Sequence, residues 1–324
     1  MNKIIQNMFY NKEIIKKNLG NGIYSFNFSK KAFKKKMWDI NCICKARGLF
    51  YDINNNKVVA RSYDKFFAFG ERPETEIDHY AKHAKYPLSV YTKYNGFLGI
   101  LSAGNDGHFF VASKSTNQGE YAGYFKSLLE KHFDKYNVNT CSLYNFLKNE
   151  NCSMVFEVID IEHDPHIVSY DHSEIVLLDI IYNNIDKFDN FSYDDIVEVA
   201  NQYSFSFKVR QGIIHNPDEL YAMLDQAKLF SRGEGFVICD QNNWMVKYKI
   251  PWYKYWKRIR GIIQQLNAGK QPEDIKNMYV GGRRLGDCIY NTWLDFKNTY
   301  GRVPENVIEF RDFANVDING YLLV

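Results

Sequence analysis

The sequence predicts an α+β protein in which antiparallel sheets with flanking helices are followed by a small all-helical region. Short runs rich in β-branched and aromatic residues alternate with turn residues before Trp252, and helical periodicity predominates after it. Hydrophobic residues make up 45% and aromatic residues 16% of the 324 residues, which is enough for a packed core. We therefore predict one domain over residues 1–254 and a helical C-terminal domain over residues 255–324.

The first predicted elements are a helix and three strands. Residues 1–19 have the pattern of an amphipathic helix that ends at Gly20. Strands are expected over residues 23–28, 49–53 and 58–62, with an asparagine-rich turn between the last two.

A predicted hairpin over residues 90–101, "VYTKYNGFLGIL", carries an unexpected lysine. Asn95-Gly96 favours a tight turn between apolar strands, because both residues tolerate positive φ. Lys93, however, lies where the first strand should be buried, and an unpartnered buried ammonium group is costly. Burial and neighbouring cations would favour the neutral form of this amine.

The later elements repeat this pattern of charges on apolar strands. Helices are expected over residues 121–136 and 142–149, and the strand "SMVFEVIDI" that follows them carries Glu157. Asn216 and Pro217 begin another helix as N-cap and first residue. A second hairpin, "EGFVICDQNNWMVKYKI", starts with Glu234 and ends with Lys247 and Lys249 on one face.

These charges together predict a nucleotide-binding pocket built on sheets. Lysines and an arginine match a triphosphate, and glutamates match ribose hydroxyls and a divalent metal. The sequence contains no phosphate-binding loop of the GxxxxGK[ST] type. Taken singly, each charge has the alternative of an edge-strand position that faces water.

Positive charge is concentrated in two stretches, although the net charge is only +3. "KKAFKKKMW" (residues 30–38) holds five lysines, and "KYKIPWYKYWKRIR" (residues 247–260) alternates cations with aromatic residues. Such stretches suit a polyanion with stackable bases. The alternative for each is a solvated helix face whose aromatic residues lie in the core.

Other classes of protein receive little support. There is no apolar run of about 18 residues that could span a membrane, and the N-terminus lacks the features of a secretory signal. The six scattered cysteines are expected to be reduced, and the histidines of "HDPHIVSYDH" lack the spacing of a zinc site. We expect a cytoplasmic protein, in the host cytoplasm if it is viral.

Several motifs resemble those of a known superfamily. "TKYNG" is similar to the K-x-[DN]-G motif of covalent nucleotidyltransferases, which include ATP-dependent RNA and DNA ligases and mRNA capping enzymes. "ARGLFYD", "VVARSYDKFFAFGE", "FFVASKST", "VFEVID…HIVSY", "EGFV" and "VKYKIPWY" occur in the order seen in the bacteriophage RNA ligase 1 family and in the ligase domain of fungal tRNA ligases. The resemblance covers roughly residues 20–255.

The resemblance implies a role for each matching residue. Lys93 would be the nucleophile that becomes adenylylated. The implied ATP-binding residues are Arg47 and Lys65 at the triphosphate, Glu157 at the ribose, Lys247 and Lys249 at phosphate, and Lys114 and Tyr253 along the pocket wall. Glu234 would help to place the metal, Mg²⁺ or Mn²⁺.

Three positions depart from the family pattern. Ala68 replaces an asparagine and Ser62 replaces a frequent glycine. Phe26 stands where the phage enzyme has a tyrosine, so one hydroxyl contact would be missing.

The implied function is that of an ATP-dependent RNA ligase acting in RNA or tRNA repair. It would join 5′-phosphate and 3′-hydroxyl ends, such as those of a broken tRNA, through lysyl-AMP and an adenylylated RNA 5′ end. We expect a monomer whose end-healing kinase and phosphatase are separate proteins. The alternatives are a DNA ligase, a capping-type nucleotidyltransferase, or a non-catalytic RNA-binding protein on the same fold.

The C-terminal region is expected to contact the substrate. Arg258, Arg260, Arg283 and Arg284 would bind RNA phosphates, with stacking from Trp252 or Trp256. Glu273 and Asp274 match a carboxylate pair of the phage enzyme, and they equally suit the acidic start of a helix.

Overall fold

The computed structural model describes residues 1–40 and 42–314 and divides into two compact units. Unit 1 consists of Met1–Phe66, Gly96–Asp160 and His172–Val209. Unit 2 consists of Phe67–Asn95, Ile161–Asp171 and Arg210–Val324, of which the structure describes the part up to residue 314. The predicted domain boundary after residue 254 lies inside a helix, Pro251–Asn267, and stays a prediction.

The strands and helices of the described residues are as follows. The strands are β1 (Ile14–Asn18), β2 (Ile23–Phe28), β3 (Leu49–Asp52), β4 (Lys57–Arg61), β5 (Phe67–Ala68), β6 (Leu88–Lys93), β7 (Phe97–Ala103), β8 (Phe109–Ser113), β9 (Cys152–Ile159), β10 (Glu174–Tyr182), β11 (Ser206–Phe207), β12 (Arg210–Ile214), β13 (Gly235–Cys239) and β14 (Met245–Lys249). The α-helices are α1 (Lys3–Tyr10), α2 (Lys30–Lys34), α3 (Ile77–His83), α4 (Glu120–Tyr136), α5 (Thr140–Asn149), α6 (Tyr193–Gln202), α7 (Pro217–Ala227), α8 (Pro251–Asn267), α9 (Arg283–Tyr300) and α10 (Val307–Ala314).

Unit 1 contains two sheets. One has the order β1-β2-β3-β4 and is antiparallel throughout. The other has the order β11-β10-β9-β7-β8 and is antiparallel except for the short β10–β11 pair. Helices α4, α5 and α6 contribute Phe125, Leu143 and Ile196 to a core that also holds Phe156 of β9. Each such side chain contributes about 1.5–3 kcal/mol by leaving water.

Unit 2 contains one sheet, with the order β12-β6-β13-β14-β5. Tyr80 of α3 and Leu220 of α7 pack with Val90 of β6 and Ile238 of β13. The β13–β14 hairpin closes through Asp240, whose Oδ1 accepts hydrogen bonds from the backbone N–H groups of residues 242 and 244, both at 2.8 Å. This turn fixes the register of β13 and β14. The register places Glu234 and Lys249 together at the end of the hairpin opposite the turn.

Helices α8, α9 and α10 share a second apolar core within unit 2. Trp256 of α8, Trp293 of α9 and Phe310 of α10 pack together with Ile167 and Ile250. The amphipathic spacing of buried residues along α8 agrees with the helical periodicity of the sequence. The α+β class, the antiparallel sheets and the C-terminal helices of the prediction are therefore confirmed.

The predicted N-terminal helix is wrong over half of its length. Helix α1 ends at Tyr10, and residues 14–18 form β1, which pairs with β2. Ile14 is 2% exposed, so pairing and burial in the sheet outweigh the helical pattern of a lysine-rich segment. Gly20, at a φ of +94°, lies in the turn between two strands and does not end a helix.

The predicted hairpin at residues 90–101 is also wrong, although both of its strands exist. Strand β6 pairs with β12 and β13 in unit 2, whereas β7 pairs with β8 and β9 in unit 1. Neither Asn95 nor Gly96 has a positive φ. The chain passes directly from one unit to the other between these two residues.

No helix within the described residues combines the length and the apolar character that crossing a membrane requires.

Candidate active site

Three predicted charges meet at one end of the sheet of unit 2. Lys93 is the last residue of β6, Glu234 precedes β13, and Lys249 is the last residue of β14. Gly235 is the register partner of both lysines. Its φ of +138° favours glycine, and a Cβ atom there would lie 2.0 Å from the carbonyl oxygen of Tyr248. Glycine at this position therefore lets the strands approach closely enough to bring the lysines to Glu234.

Glu234 holds both lysines through one oxygen. Its Oε1 lies 3.0 Å from Lys93 Nζ and 2.6 Å from Lys249 Nζ. Burial opposes the ionisation of this carboxyl, which is 3% exposed, but attraction by the two ammonium groups holds the pKa of Glu234 below its ordinary value. Glu234 is therefore a carboxylate at neutral pH and orients the candidate nucleophile.

Asn95 connects this ion cluster to its surroundings. Its Nδ2 donates to Glu234 Oε2 at 3.0 Å and to Tyr253 Oη at 3.3 Å. Its Oδ1 accepts from the backbone N–H groups of Ile167 and Val168, at 3.1 and 3.2 Å. Asn95 is 5% exposed, so its amide is almost fully used in fixing Glu234 and the segment at residues 167–168.

Helix α8 adds an aromatic residue and a further cation to the ion cluster of unit 2. Tyr253 lies in its first turn, 4% exposed, and Lys249 Nζ lies 4.9 Å from the centre of its ring. Partial desolvation and repulsion by Lys249 lower the pKa of Lys257, one turn further along the helix. Lys257 thus shares the electrostatic environment of Lys93 and Glu234.

Lys247 is held by its backbone in the same sheet. It is the register partner of Ala68 in β5, and its carbonyl oxygen accepts from the N–H of Phe69 at 3.0 Å. Because side chains alternate along a strand, Lys247 and Lys249 emerge on the same face of β14.

The remaining predicted site residues lie in unit 1. Glu157 of β9 accepts a hydrogen bond from the N–H of Gly96 at 2.7 Å. Burial lowers the pKa of the Arg47 guanidinium, and the negative charge of Glu157 partly opposes this shift. Burial and repulsion by Arg47 lower the pKa of Lys114. Arg47, Lys114 and Glu157 therefore act on one another electrostatically.

Two lysines of unit 1 lie over aromatic rings. Lys65 Nζ is 5.1 Å from the ring centre of Trp38, and it donates to the carbonyl oxygen of Phe66 at 3.0 Å. Lys114 Nζ is 5.6 Å from the ring centre of Phe28, and Phe28 packs edge-on against Trp38 with ring centres 5.1 Å apart. One aromatic cluster therefore supports Lys65 and Lys114, the two lysines of unit 1 that are predicted to bind ATP.

The profile of the RNA ligase family matches residues 45–253 of this chain. The chain belongs to the RNA ligase family. The match begins next to Arg47 and ends at Tyr253, and it includes every residue named above as a predicted site residue.

Two curated relatives support this membership. The chain is 30% identical over 271 residues to tRNA ligase 1 of Schizosaccharomyces pombe and 26% identical over 278 residues to tRNA ligase of Candida albicans. These alignments cover 75% and 71% of this chain, but only 34% and 32% of the relatives, so the chain spans about a third of their length.

In fold, the chain is similar to a putative ATP-dependent DNA ligase from Aquifex aeolicus and to an archaeal ATP-dependent RNA ligase. The TM-score is 0.54 for both, at 14% and 12% sequence identity. These alignments cover 97% and 98% of this chain, and 77% and 75% of the two structures. The likeness establishes the ligase fold.

Two of the three departures from the family pattern have structural explanations. Ser62 is 1% exposed, and its hydroxyl donates to the carbonyl oxygen of Arg47 at 3.1 Å, so it holds the backbone of a predicted site residue. Phe26 is fully buried and packs edge-on against Phe9. A hydroxyl at position 26 would therefore lie in an apolar core.

The predicted stacking by two tryptophans of α8 is wrong. Trp252 is 9% exposed and Trp256 is 2% exposed, because both belong to the core shared by the C-terminal helices. Arg311 lies over both rings, with its guanidinium carbon 5.4 and 5.7 Å from their centres. These two tryptophans thus belong to the core and offer no free face for a base.

The described residues contain no preformed metal centre made of clustered protein ligands. No three or more His, Cys, Asp or Glu side chains of residues 1–40 and 42–314 are grouped so that they could hold an ion. Both oxygens of Glu234 already accept from Lys93, Lys249 and Asn95.

Two residues of the site were missed by the sequence analysis. Asn95 was assigned to a tight turn, so the use of its side chain as the link between Glu234 and residues 167–168 was overlooked. Lys257 was one cation among many in a basic stretch, although its spacing of four residues from Tyr253 places it on the same helix face.

Proposed function

We propose that this chain joins RNA 5′-phosphate and 3′-hydroxyl ends with ATP, through an AMP group carried on Lys93. The observation that carries the proposal is the Lys93–Glu234–Lys249 cluster, in which a buried carboxylate orients a lysine at a strand end. Its position within a chain of the RNA ligase family supports the assignment of Lys93 as the nucleophile.

In the first step, Lys93 Nζ, having lost a proton to solvent, attacks the α-phosphorus of ATP. A phosphorus–nitrogen bond forms, the bond between the α-phosphorus and the bridging oxygen breaks, and pyrophosphate leaves with the bonding electrons. The second proton of the amine is released as the phosphoramide forms. Glu234 and Asn95 keep the amine in position, and Lys249 offsets negative charge that develops in the transition state.

The cations and carboxylates fit a nucleotide triphosphate. We assign Arg47, Lys65, Lys114, Lys247 and Lys249 to its phosphates, Glu157 to the ribose and Tyr253 to the pocket wall. Mg²⁺ is commonly bound by one or two carboxylates together with substrate phosphates, which suits a site without clustered protein ligands. Glu234 is the residue that would lie beside it. When bound, the metal would neutralise charge on the leaving pyrophosphate.

Two further steps complete the proposed reaction. The RNA 5′-phosphate takes AMP from Lys93, which restores the free amine and forms an adenylylated 5′ end. A 3′-hydroxyl then attacks that end, a phosphodiester bond forms, and AMP leaves. We propose a broken tRNA as the RNA, because the two fungal relatives are named tRNA ligases. The 5′-phosphate would be supplied beforehand by a kinase, and we propose that the chain acts as a cytoplasmic monomer.

The proposal is tested with α-labelled ATP and Mg²⁺. The wild-type chain should acquire a label that resists denaturation, and Lys93→Ala should acquire none. Lys228→Ala is the control, since this lysine is exposed and pairs with Asp225 on the surface. A label that persists in Lys93→Ala would contradict the assignment of the nucleophile. Sealing of DNA as fast as RNA, in parallel assays of nicked substrates, would contradict the assignment of RNA.

A further inference from the structure

Helix α2 and the two residues after it form a compact lysine patch, defined here as Lys30, Lys31, Lys34, Lys35 and Lys36. All five side chains are exposed. Lys31 forms an ion pair with Glu13, and no other lysine of the patch has an ion pair within the part of the chain that the structure describes. Residues 28–38 contain no acidic residue. The patch is therefore a local excess of positive charge that Glu13 offsets only in part.

This concentration of charge does not help the helix to form. Like charges four residues apart, as in the pairs Lys30–Lys34 and Lys31–Lys35, repel each other on a helix surface. Lysines in the first turn also oppose the helix dipole. Ser29, whose Oγ accepts from the N–H of Ala32 at 2.9 Å, caps a helix of only five residues. The lysines are thus better explained by an anionic partner than by local stability.

An exposed aromatic ring lies among these lysines. Phe33 is 54% exposed, although it is a large apolar side chain. It is stacked on Phe28, with an interplanar angle of 13° and ring centres 6.3 Å apart, and it packs edge-on against Trp38 at 6.0 Å. The ring is therefore held in a fixed orientation while much of its surface remains available for stacking.

The patch lies next to two lysines of unit 1 that are proposed to bind ATP, Lys65 and Lys114. Phe28 and Trp38, which hold Phe33, are the same rings that support Lys114 and Lys65. A ligand that contacts Phe33 would therefore be separated from these two lysines by a single layer of aromatic rings.

We propose that the lysine patch and Phe33 bind the RNA strand that is to be joined, with phosphates along the lysines and a base stacked on Phe33. Cations that follow a backbone, combined with an exposed aromatic platform, are the usual means of holding single-stranded nucleic acid. An acidic protein would use the charges but not the stacking surface. The inference rests on the proposed function for the identity of RNA as the ligand.

The test measures RNA binding without catalysis. The probe is a short 5′-phosphorylated, fluorescein-labelled single-stranded RNA, titrated with full-length protein in the absence of ATP and metal. The triple variant Lys30→Gln/Lys34→Gln/Lys35→Gln should bind roughly tenfold more weakly at low salt. Its slope of log affinity against log salt should fall by about two, since each lost phosphate contact on a single strand removes about 0.7. Lys126→Gln/Lys131→Gln/Lys135→Gln on α4, with the same change of charge, should behave as wild type.

A second variant tests the stacking. Phe33→Leu should weaken RNA binding at least fivefold without changing the salt slope, and Phe33→Tyr should restore it. Circular dichroism and the rate of self-adenylylation report whether each variant is folded and whether its ATP site is intact. Both should be unchanged in every patch variant.

Three outcomes would overturn the proposal. The first is an unchanged RNA affinity and salt slope in the triple lysine variant. The second is an equal loss of RNA affinity in the α4 control. The third is a triple lysine variant that needs more ATP for self-adenylylation but binds RNA as tightly as wild type. The last outcome would assign the lysines to ATP. Failure of the proposed function is seen separately, because the wild-type chain would then bind RNA through the patch without acquiring the label from ATP.

Discussion

Glu234 is the residue on which the ion cluster of unit 2 depends, because its carboxylate pairs with two lysines at once. Glu234→Gln keeps the shape of the side chain but leaves Lys93 and Lys249 without their shared carboxylate. Breaking a buried ion pair from one side typically costs about 3–5 kcal/mol, and the partial exposure of both lysines reduces this to about 2 kcal/mol here. We expect this loss in urea unfolding and at least a tenfold slower self-adenylylation. Asp225→Asn, at an exposed pair, is the control and should change neither.

The pH dependence of this effect has a definite sign. The folded pKa of Glu234 lies below the ordinary value of 4.5, so the folded state binds its proton less readily than the unfolded state. The contribution of Glu234 to stability is therefore complete above about pH 4.5 and is lost as the pH falls through the folded pKa. The difference in unfolding free energy between wild type and Glu234→Gln should be largest near neutrality and should shrink below that pH. A difference that grows on acidification would contradict the ion-pair account.

Asn95 provides a second prediction at the scale of the residue. Asn95→Ala leaves the backbone N–H groups of Ile167 and Val168, as well as one oxygen of Glu234, without this partner. Unsatisfied buried groups cost about 1–3 kcal/mol each, with some relief from water entering the space. We expect the free energy of unfolding to fall by about 2–4 kcal/mol, measured by urea denaturation.

The control for this prediction is Asn145→Ala, at an exposed position on α5. It should change the free energy of unfolding by less than about 0.5 kcal/mol. A stability of Asn95→Ala equal to that of wild type would show that the segment at residues 167–168 does not depend on this amide.

At the scale of the element, the junction after β6 explains why a glycine follows Asn95. Gly96 has an ordinary φ, but a Cβ atom on it would lie 2.1 Å from the carbonyl oxygen of Val158 in β9. Gly96→Ala should therefore destabilise the protein by about 2–3 kcal/mol, because backbone must move to make room. Gly123→Ala on α4 has nothing within 4 Å of its new methyl group and should stabilise by about 0.5–1 kcal/mol. Thermal unfolding of both variants measures these shifts, and a neutral Gly96→Ala would contradict the close approach.

The same junction shows what the sequence could predict about elements. Apolar periodicity located β6 and β7 correctly, and the Asp240 turn between β13 and β14 was expected as a hairpin. Periodicity does not identify the neighbour of a strand, so the connection at residues 94–96 was predicted as a turn although it links two sheets. The predicted N-terminal helix was too long for a related reason. Residues 14–18 form a strand because they pair with β2, and periodicity does not report this pairing.

At the scale of the whole molecule, the sequence predicted the types of the site residues better than their arrangement. Charged residues on apolar strands stand out in any sequence, which is why Lys93, Glu157 and Glu234 were selected as candidate site residues. Their distribution over two units, with Glu157 in unit 1 and the other two in unit 2, depends on long-range pairing. The sequence did not reveal that Asn95 links Glu234 to residues 167–168. An asparagine before a glycine has the pattern of a turn residue, and no sequence pattern marks its amide as buried.

The C-terminal helices give the last prediction, because they are part of the core that holds the site. Ile167, whose N–H is fixed by Asn95, packs in the same cluster as Trp256, Trp293 and Phe310. Its carbonyl oxygen accepts a hydrogen bond from Arg311 of α10 at 2.7 Å. A chain that ends at residue 254 would expose this cluster, in which each large side chain contributes about 1.5–3 kcal/mol.

We therefore expect the truncation after residue 254 to abolish both self-adenylylation and RNA joining. It should not merely change which RNA is joined. A chain that ends at residue 314 keeps α8, α9 and α10 and is the matched control, with a label yield close to that of the full chain. Circular dichroism and labelling by α-labelled ATP measure the outcome. A folded chain of 254 residues that acquires the label at the full rate would show that Ile167 and Asn95 hold Glu234 without the C-terminal helices.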